Sequence, residues 1–349
     1  MRAQPVFSSL LLVGEAALAL AYAPGHQVAV FDQVLSPEVA SVLHESARST
    51  GLGHRAFARP LRPDGAYGAI ERSLDSILTE LDGPAPDPAD GGRRQYVEYW
   101  ARQEWRHIEA HADVDEFAAK EEEGGARGGF APGPDGFRYP THGHVLYLSV
   151  GSSVSGPTCV FPFHRSGGDL LREGDGADEE EATCAAGQQG GVELFVVPAR
   201  PLRLLRFPGS ALHAVPRPHN IWTLPFVMGA PEYEPEEEWG RSVILFNVWE
   251  DEPPKGVALN EGVGHEGGGT KDVPVDTAPC RPRSDWQPAP AFDLDGEEGG
   301  RVSAKVWLLG NERRRDHAMR TVKLSAPEEI DRVLAEEAKV SRVVMGQAM

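Results

Sequence analysis

Apolar positions along this chain change rhythm more than once. Residues 27–31 (Q-V-A-V-F) read as a strand. Val39, Val42 and Leu43 then recur at helical spacing behind Ser36-Pro37, a good N-cap followed by a good first helical residue. That pattern predicts a helix from Pro37 to near Gly51. A second helix is predicted over 70–81, before the linker-like G-P-A-P-D-P-A-D-G-G at 83–92. Both helices read as a support layer. From there on the apolar runs are short. Strands are predicted at 143–150, 156–161, 192–197, 202–207, 211–215, 222–228 and 241–249. Short strands broken by Pro/Gly turns, with no helix alternating between them, argue for a jelly roll or barrel and against a βαβ sheet.

The remaining stretches are polar or glycine-rich. Residues 117–140 predict a loop over the mouth of a site. The acidic, Gly-rich insertion at 167–191 predicts a solvated loop, and its D-G-A-D-E-E-E run lacks the spacing of a calcium-binding EF-hand. Residues 261–290 read as a linker or wrapping loop, 305–309 as a strand, and 326–340 as an amphipathic helix opened by S-A-P-E. The basic run at 312–316 reads as a solvated face. There is no internal repeat.

Composition narrows the class. A chain of 349 residues, 40% hydrophobic with 13 Phe, 7 Trp and 7 Tyr, is globular and long enough for a sizeable core. The net charge of −19 argues against nucleic acid and anionic membranes as partners. Cys159, Cys184 and Cys280 are scattered and form no C-x-x-C, so neither a disulfide framework nor a thiolate zinc site is indicated, and a reducing, cytoplasmic setting is the default. Residues 1–25 carry an apolar run ending in A-Y-A, the pattern of a removable leader or organelle presequence. Glu15 inside the run and a single preceding Arg2 favour an N-terminal strand or helix, and the run is too interrupted for stable membrane insertion.

The candidate chemistry centres on W-A-R-Q-E-W-R-H-I-E-A-H-A-D-V-D-E at 100–116. On an extended backbone His111 and Asp113 point to one side and can share a metal. With a distant histidine they would make a 2-His-1-carboxylate site of the kind used for non-haem Fe(II). H-x-D alone arises too readily by chance to stand by itself. A rival set lies in the same stretch: on a helix, His107 and His111 are four apart and could hold zinc for hydrolysis. Downstream, G-S-A-L-H-A-V-P puts His213 on a short strand. R-S-V-I-L-F-N-V-W puts Arg241 at the head of an apolar one, where a guanidinium is costly to bury unless it meets an anion. His142 and His144 (H-x-H) read as pocket-lining or surface residues, His107 as a neighbour of the site. Asp115 and Glu116 read as groups that orient the loop or a ligand imidazole.

This ordered set, H-A-D, then G-P-T, then G-S-A-L-H-A-V-P, then R-S-V-I-L-F-N-V-W, resembles the 2-oxoglutarate- and Fe(II)-dependent oxygenases, and within them the prolyl-4-hydroxylase-like group. The resemblance covers residues 28–251. It implies a mainly β fold with supporting helices (α+β), a double-stranded β-helix or jelly roll. It implies Fe(II) on His111, Asp113 and His213, with these as the catalytic centre. Arg241 would hold the distal carboxylate of 2-oxoglutarate, and Tyr147 would hydrogen-bond the cosubstrate. The expected reaction consumes O2, with ascorbate as an accessory reductant. It hydroxylates a C–H bond of a protein (a prolyl residue at the level of the family) or of a small molecule, and releases succinate and CO2. Residues 26–255 would form the oxygenase domain, with a core at about 95–252, after an extension at 1–25 and before one at 256–349. The pattern departs from the family in two places. The 28 residues from His213 to Arg241 are more than usual, so Arg206 and Arg217 stay open as carboxylate partners. The acidic insertion at 167–191 is additional. Besides the zinc hydrolase, a non-catalytic jelly-roll binding protein remains an alternative.

Overall fold

The computed structural model describes residues 28–50, 53–62, 65–86, 91–103, 108–118, 137–151, 157–162, 192–215, 241–262, 281–289, 291–294, 301–309, 317–325 and 340–345. The expectations for 1–25, 222–228, 167–191, 312–316 and 326–339, and for His107, Arg217, Cys184 and Cys280, lie outside the described residues.

Strand β1 (Ala29–Asp32) leads into helix α1 (Pro37–Thr50). The Val39 N–H donates to Ser36 Oγ at 3.3 Å, the N-cap bond that the sequence predicts, and Glu38 sits in the first turn, where the helix dipole favours it. Helix α2 (Ala69–Asp82) is closed at its start by Glu71 Oε2, which accepts from the Gly68 N–H at 2.7 Å. It stops at Gly83, whose φ of 81° suits glycine and whose N–H donates to the Thr79 carbonyl at 2.9 Å. Val39, Ala40, Leu43 and Ala47 of α1 and Ile70, Leu74, Ile77 and Leu78 of α2 are buried together against one sheet.

Between and after the helices come β2 (Arg55–Arg59), β3 (Gln95–Arg102), β4 (Ile108–His111), β5 (His142–Val150), β6 (Thr158–Phe161), β7 (Val192–Val197), β8 (Leu204–Pro208), β9 (Leu212–Val215) and β10 (Arg241–Glu250). Strands β3, β10, β5 and β8 are neighbours in one sheet, and β7, β6, β9 and β4 in the other. The chain therefore crosses between two facing sheets at nearly every step from β3 to β10. That interleaving is the double-stranded β-helix, mainly β with supporting helices. Helices α1 and α2 cover the outer face of the first sheet, through Leu146, Leu148, Ile244, Phe246 and Val248. The inner face packs Val145, Tyr147, Val243, Leu205 and Phe207 against Val160 and Val197 of the second sheet.

Two buried arginines fasten the layers. Arg59 joins β2 to α2 through Asp75 at 2.8 Å, and Arg203 grips Asp32 with Nε at 2.7 Å and Nη2 at 3.0 Å. After β10 the chain rejoins both sheets. Strand β11 (Ala258–Asn260) runs parallel to β2, and β12 (Gln287–Pro288) runs antiparallel to β1. Strands β13 (Ala291–Leu294), β14 (Arg301–Leu309), β15 (His317–Ser325) and β16 (Val340–Met345) extend the second sheet on both sides, β16 beside β7 and β14 beside β4. Among the described residues no helix is long and apolar enough to cross a membrane.

Candidate metal centre and anion site

His111 ends β4, and His213 lies opposite it on β9. Both side chains project between the sheets, with the imidazole rings 4.4 Å apart. Asp113, two residues beyond His111, turns back to the pair: Oδ1 lies 3.6 Å from His111 Nε2, and Oδ2 lies 3.9 Å from His213 Nε2. One ligand atom from each residue falls within 4.8 Å of the others, a spacing at which the three can share one metal ion. Phe207 packs on the His213 ring at 4.8 Å, and His213 Nδ1 faces the Ala211 carbonyl at 3.3 Å, so the ring is held with Nε2 toward Asp113.

The electrostatics suit a cation. Burial raises the Asp113 carboxyl, yet the charges of His213 and His111 and a hydrogen bond from Asn247 Nδ2 at 3.1 Å hold it below its ordinary value. Burial, with His111 alongside, pushes His213 down to about 4 against the opposing pull of Asp113. At neutral pH the cluster is thus an anion flanked by a neutral imidazole lone pair, the state in which these groups bind metals.

A second polar group lies further along the same wall. Arg241, at the head of β10, is buried. Its Nη2 donates to Thr158 Oγ1 at 2.8 Å and reaches the Tyr147 hydroxyl at 3.5 Å, and its guanidinium lies over the Tyr147 ring at 5.1 Å. The two hydroxyls bond each other at 2.7 Å. Among the described residues Arg241 Nε has no partner and no carboxylate pairs with this guanidinium. Thr158 is two residues along β6 from Val160, which lies opposite His213. About 7 Å of strand therefore separates the arginine's contact from the imidazole's.

Arg206 pairs with Asp82 of α2 at 2.7 Å, on the helix-covered face, so it cannot serve the inner wall. His144 is on that face too, stacked on Phe246 at 4.3 Å, with His142 two residues before it. Neither lines the space between the sheets. Of the two roles expected for Asp115, the contacts show the one that orients the loop, and among the described residues no imidazole bonds to it. Asp115 accepts from Arg138 Nη1 at 2.9 Å, Lys255 N–H at 3.1 Å and Ala118 N–H at 3.0 Å, and so pins the segment after Asp113 to the end of β10. Glu116 is exposed. Ile108–His111 is a strand, which removes the helix that a zinc site of His107 and His111 requires. Cys159 is buried, and burial pushes its thiol up to about 12. Sequence reasoning missed Thr158 and Asn247. The two-residue period of β10 puts Asn247 on the face of Arg241, a signal visible only once the strand's full length is known.

His142 carries a pH prediction. Burial, helped by the Arg206 charge, lowers it to about 4. A histidine held neutral by the fold contributes its full stability above the unfolded value of about 6.5. That contribution is lost as pH falls toward the folded value, by about 1.4 kcal/mol per pH unit at most. In urea unfolding of metal-free protein, His142→Gln is expected to flatten the loss of stability between pH 6.5 and 4 by about one proton. Equal slopes for variant and wild type would contradict this.

The class these observations define is a double-stranded β-helix with a His-x-Asp and a distant His on its inner wall. No family pattern matches the sequence, and no curated protein matches it. Among solved structures the chain is similar to HygX from Streptomyces hygroscopicus with nickel and 2-oxoglutarate bound, at 13% identity over 64% of this chain and 82% of that one, TM-score 0.33. It is similar to the viral collagen prolyl hydroxylase vCPH of Paramecium Bursaria Chlorella virus-1 in its 2OG complex, at 10% identity over 66% and 98%, TM-score 0.33. It is similar also to EctD from S. alaskensis in its apoform, at 11% identity over 75% and 94%, TM-score 0.34. Overlaps this weak transfer no residue role to the present chain.

Proposed function

We propose that the protein is an Fe(II)- and 2-oxoglutarate-dependent dioxygenase, an oxidoreductase that hydroxylates a C–H bond and releases succinate and CO2. One observation carries the reading: a buried Arg241, with no carboxylate partner among the described residues, shares an inner wall with the His111, Asp113 and His213 cluster. The donor set fits the metal, since two imidazoles and one carboxylate suit Fe(II) and leave room for exogenous ligands. The arginine fits the cosubstrate, since a guanidinium with an unused Nε takes a carboxylate on two donors.

In this reading His111, Asp113 and His213 hold Fe(II), and Arg241 holds the distal carboxylate of 2-oxoglutarate beside the Thr158 and Tyr147 hydroxyls. When bound, iron and 2-oxoglutarate together supply the O2-dependent oxidation, with ascorbate as an accessory reductant. The chain's own residues do the positioning. Asn247 fixes the Asp113 carboxylate, Phe207 packs the His213 ring, and the Tyr147–Thr158 bond fixes the hydroxyls under Arg241. The hydroxylated carbon belongs to a protein side chain, a prolyl one in a prolyl-4-hydroxylase-like enzyme, or to a small molecule.

The direct test is 2-oxoglutarate turnover. Purified protein with Fe(II), O2 and 2-oxoglutarate is expected to form succinate slowly without added substrate; iron-dependent succinate no greater than in Asp113→Ala would sink the reading. A smaller change is expected at Asn247. Asn247→Ala leaves Asp113 without its donor, and Fe(II) affinity by equilibrium dialysis is expected to drop about 10- to 100-fold. An unchanged affinity would remove Asn247 from the account.

A further inference from the structure

Next to the cluster, the inner face of β3 carries polar groups that the proposed reaction does not use. Glu98 lies opposite Asn247 in the β3–β10 register, and Trp100 lies opposite Leu245. Register partners in an antiparallel pair share a face, so Glu98 and Trp100 stand one strand away from the residue that fixes Asp113. Glu98 is buried, and among the described residues its two oxygens each accept one bond: Oε2 from Trp249 Nε1 at 3.0 Å, Oε1 from His54 Nδ1 at 2.7 Å. A carboxylate has about four acceptor sites, so acceptor capacity remains. His54 stacks flat on Trp100, 4.4 Å between centroids and 6° between planes, and about half of its side chain is exposed. Trp100 is 8% exposed, and its Nε1 is buried without a hydrogen-bond partner among the described residues.

An orphaned indole N–H is expensive to bury, because it gives up water and gains nothing. On the same strand face, two residues along β3 and one strand from Asn247, lies a carboxylate with spare acceptor sites, and the indole itself lies under a ring that reaches solvent. A donor and an acceptor on one strand face match a group that both accepts and donates.

We propose that Glu98, Trp100 and His54 form the substrate-recognising wall of this site. Its ligand is a small, uncharged or cationic molecule presenting a hydroxyl or amide group, which accepts from Trp100 Nε1 and donates to Glu98. The buried Glu98 charge repels carboxylate- and phosphate-bearing molecules from the same place. The inference rests on reading His111, Asp113 and His213 as the reacting centre.

The test uses saturation-transfer NMR on the full chain with two panels of small molecules: polyols, amino alcohols and primary amides against dicarboxylates and sugar phosphates. This readout needs no turnover. Hits are expected from the first panel. Trp100→Phe keeps an aromatic ring under His54 while removing the N–H together with part of the indole, and is expected to weaken them about 3- to 10-fold; Glu98→Gln, of the same shape, is expected to weaken them about 10-fold or more. Both variants are first matched to wild type by circular dichroism and thermal unfolding. If one fails to fold, the other carries the test. Hits confined to the anionic panel, no hits in the first panel, or hits that a folded variant leaves unchanged would overturn the proposal. Iron-dependent succinate formation, measured separately, reports on the oxygenase reading, so the two failures are distinguishable.

Discussion

Asp113→Ala is expected to reduce Fe(II) binding below detection and 2-oxoglutarate turnover by at least about a thousandfold. Asp113 is the only carboxylate in the cluster found among the described residues, and its two oxygens lie 3.6 Å from His111 Nε2 and 3.9 Å from His213 Nε2. Without it, His111 and His213 would have to gather a dication with no anion to offset it, in a site where burial already disfavours charge. The check is equilibrium dialysis with Fe(II), with circular dichroism to establish that the variant folds. A folded variant that still binds iron like wild type would place the metal elsewhere.

The second large effect is expected at Arg241. Arg241→Met keeps most of the volume of the side chain and removes every donor. Losing the charged partner of a buried carboxylate costs about 2–4 kcal/mol, so the KM for 2-oxoglutarate is expected to rise roughly 30- to 1000-fold. Fe(II) affinity measured without 2-oxoglutarate is expected to stay near wild type, because Arg241 touches Thr158 and Tyr147 and none of the three metal-cluster residues. An unchanged KM would remove Arg241 from the proposed 2-oxoglutarate site. Arg206 is a poor substitute, being paired with Asp82 on the opposite face of the sheet.

Those two outcomes depend on register, and register is where the sequence is least explicit. The support helices are legible because their signals are local: Ser36-Pro37 opens α1, and Gly83 closes α2. The H-A-D and S-A-L-H motifs are legible because each falls within a short strand or just past its end. Strand β3 is not, since Tyr99 and Val97 are buried against the helices while Glu98 and Trp100 are buried on the inner wall. With both faces covered, Q-Y-V-E-Y-W-A-R has no polar–apolar alternation to read. The choice between Arg206 and Arg241 is equally hidden, because each heads or lines an apolar strand and only cross-strand pairing tells which face each occupies. The pairing of β12, β14 and β16 with β1, β4 and β7 joins segments far apart in the chain, which no local pattern announces.

The most direct measurement is anaerobic titration of the metal-free protein with Fe(II), then with 2-oxoglutarate, following the visible charge-transfer absorption. The expected result is a band that requires both additions, vanishes in Asp113→Ala, and in Arg241→Met needs far more 2-oxoglutarate to appear. Iron that binds without any such band at saturating 2-oxoglutarate, or a band that survives in Asp113→Ala, would contradict it.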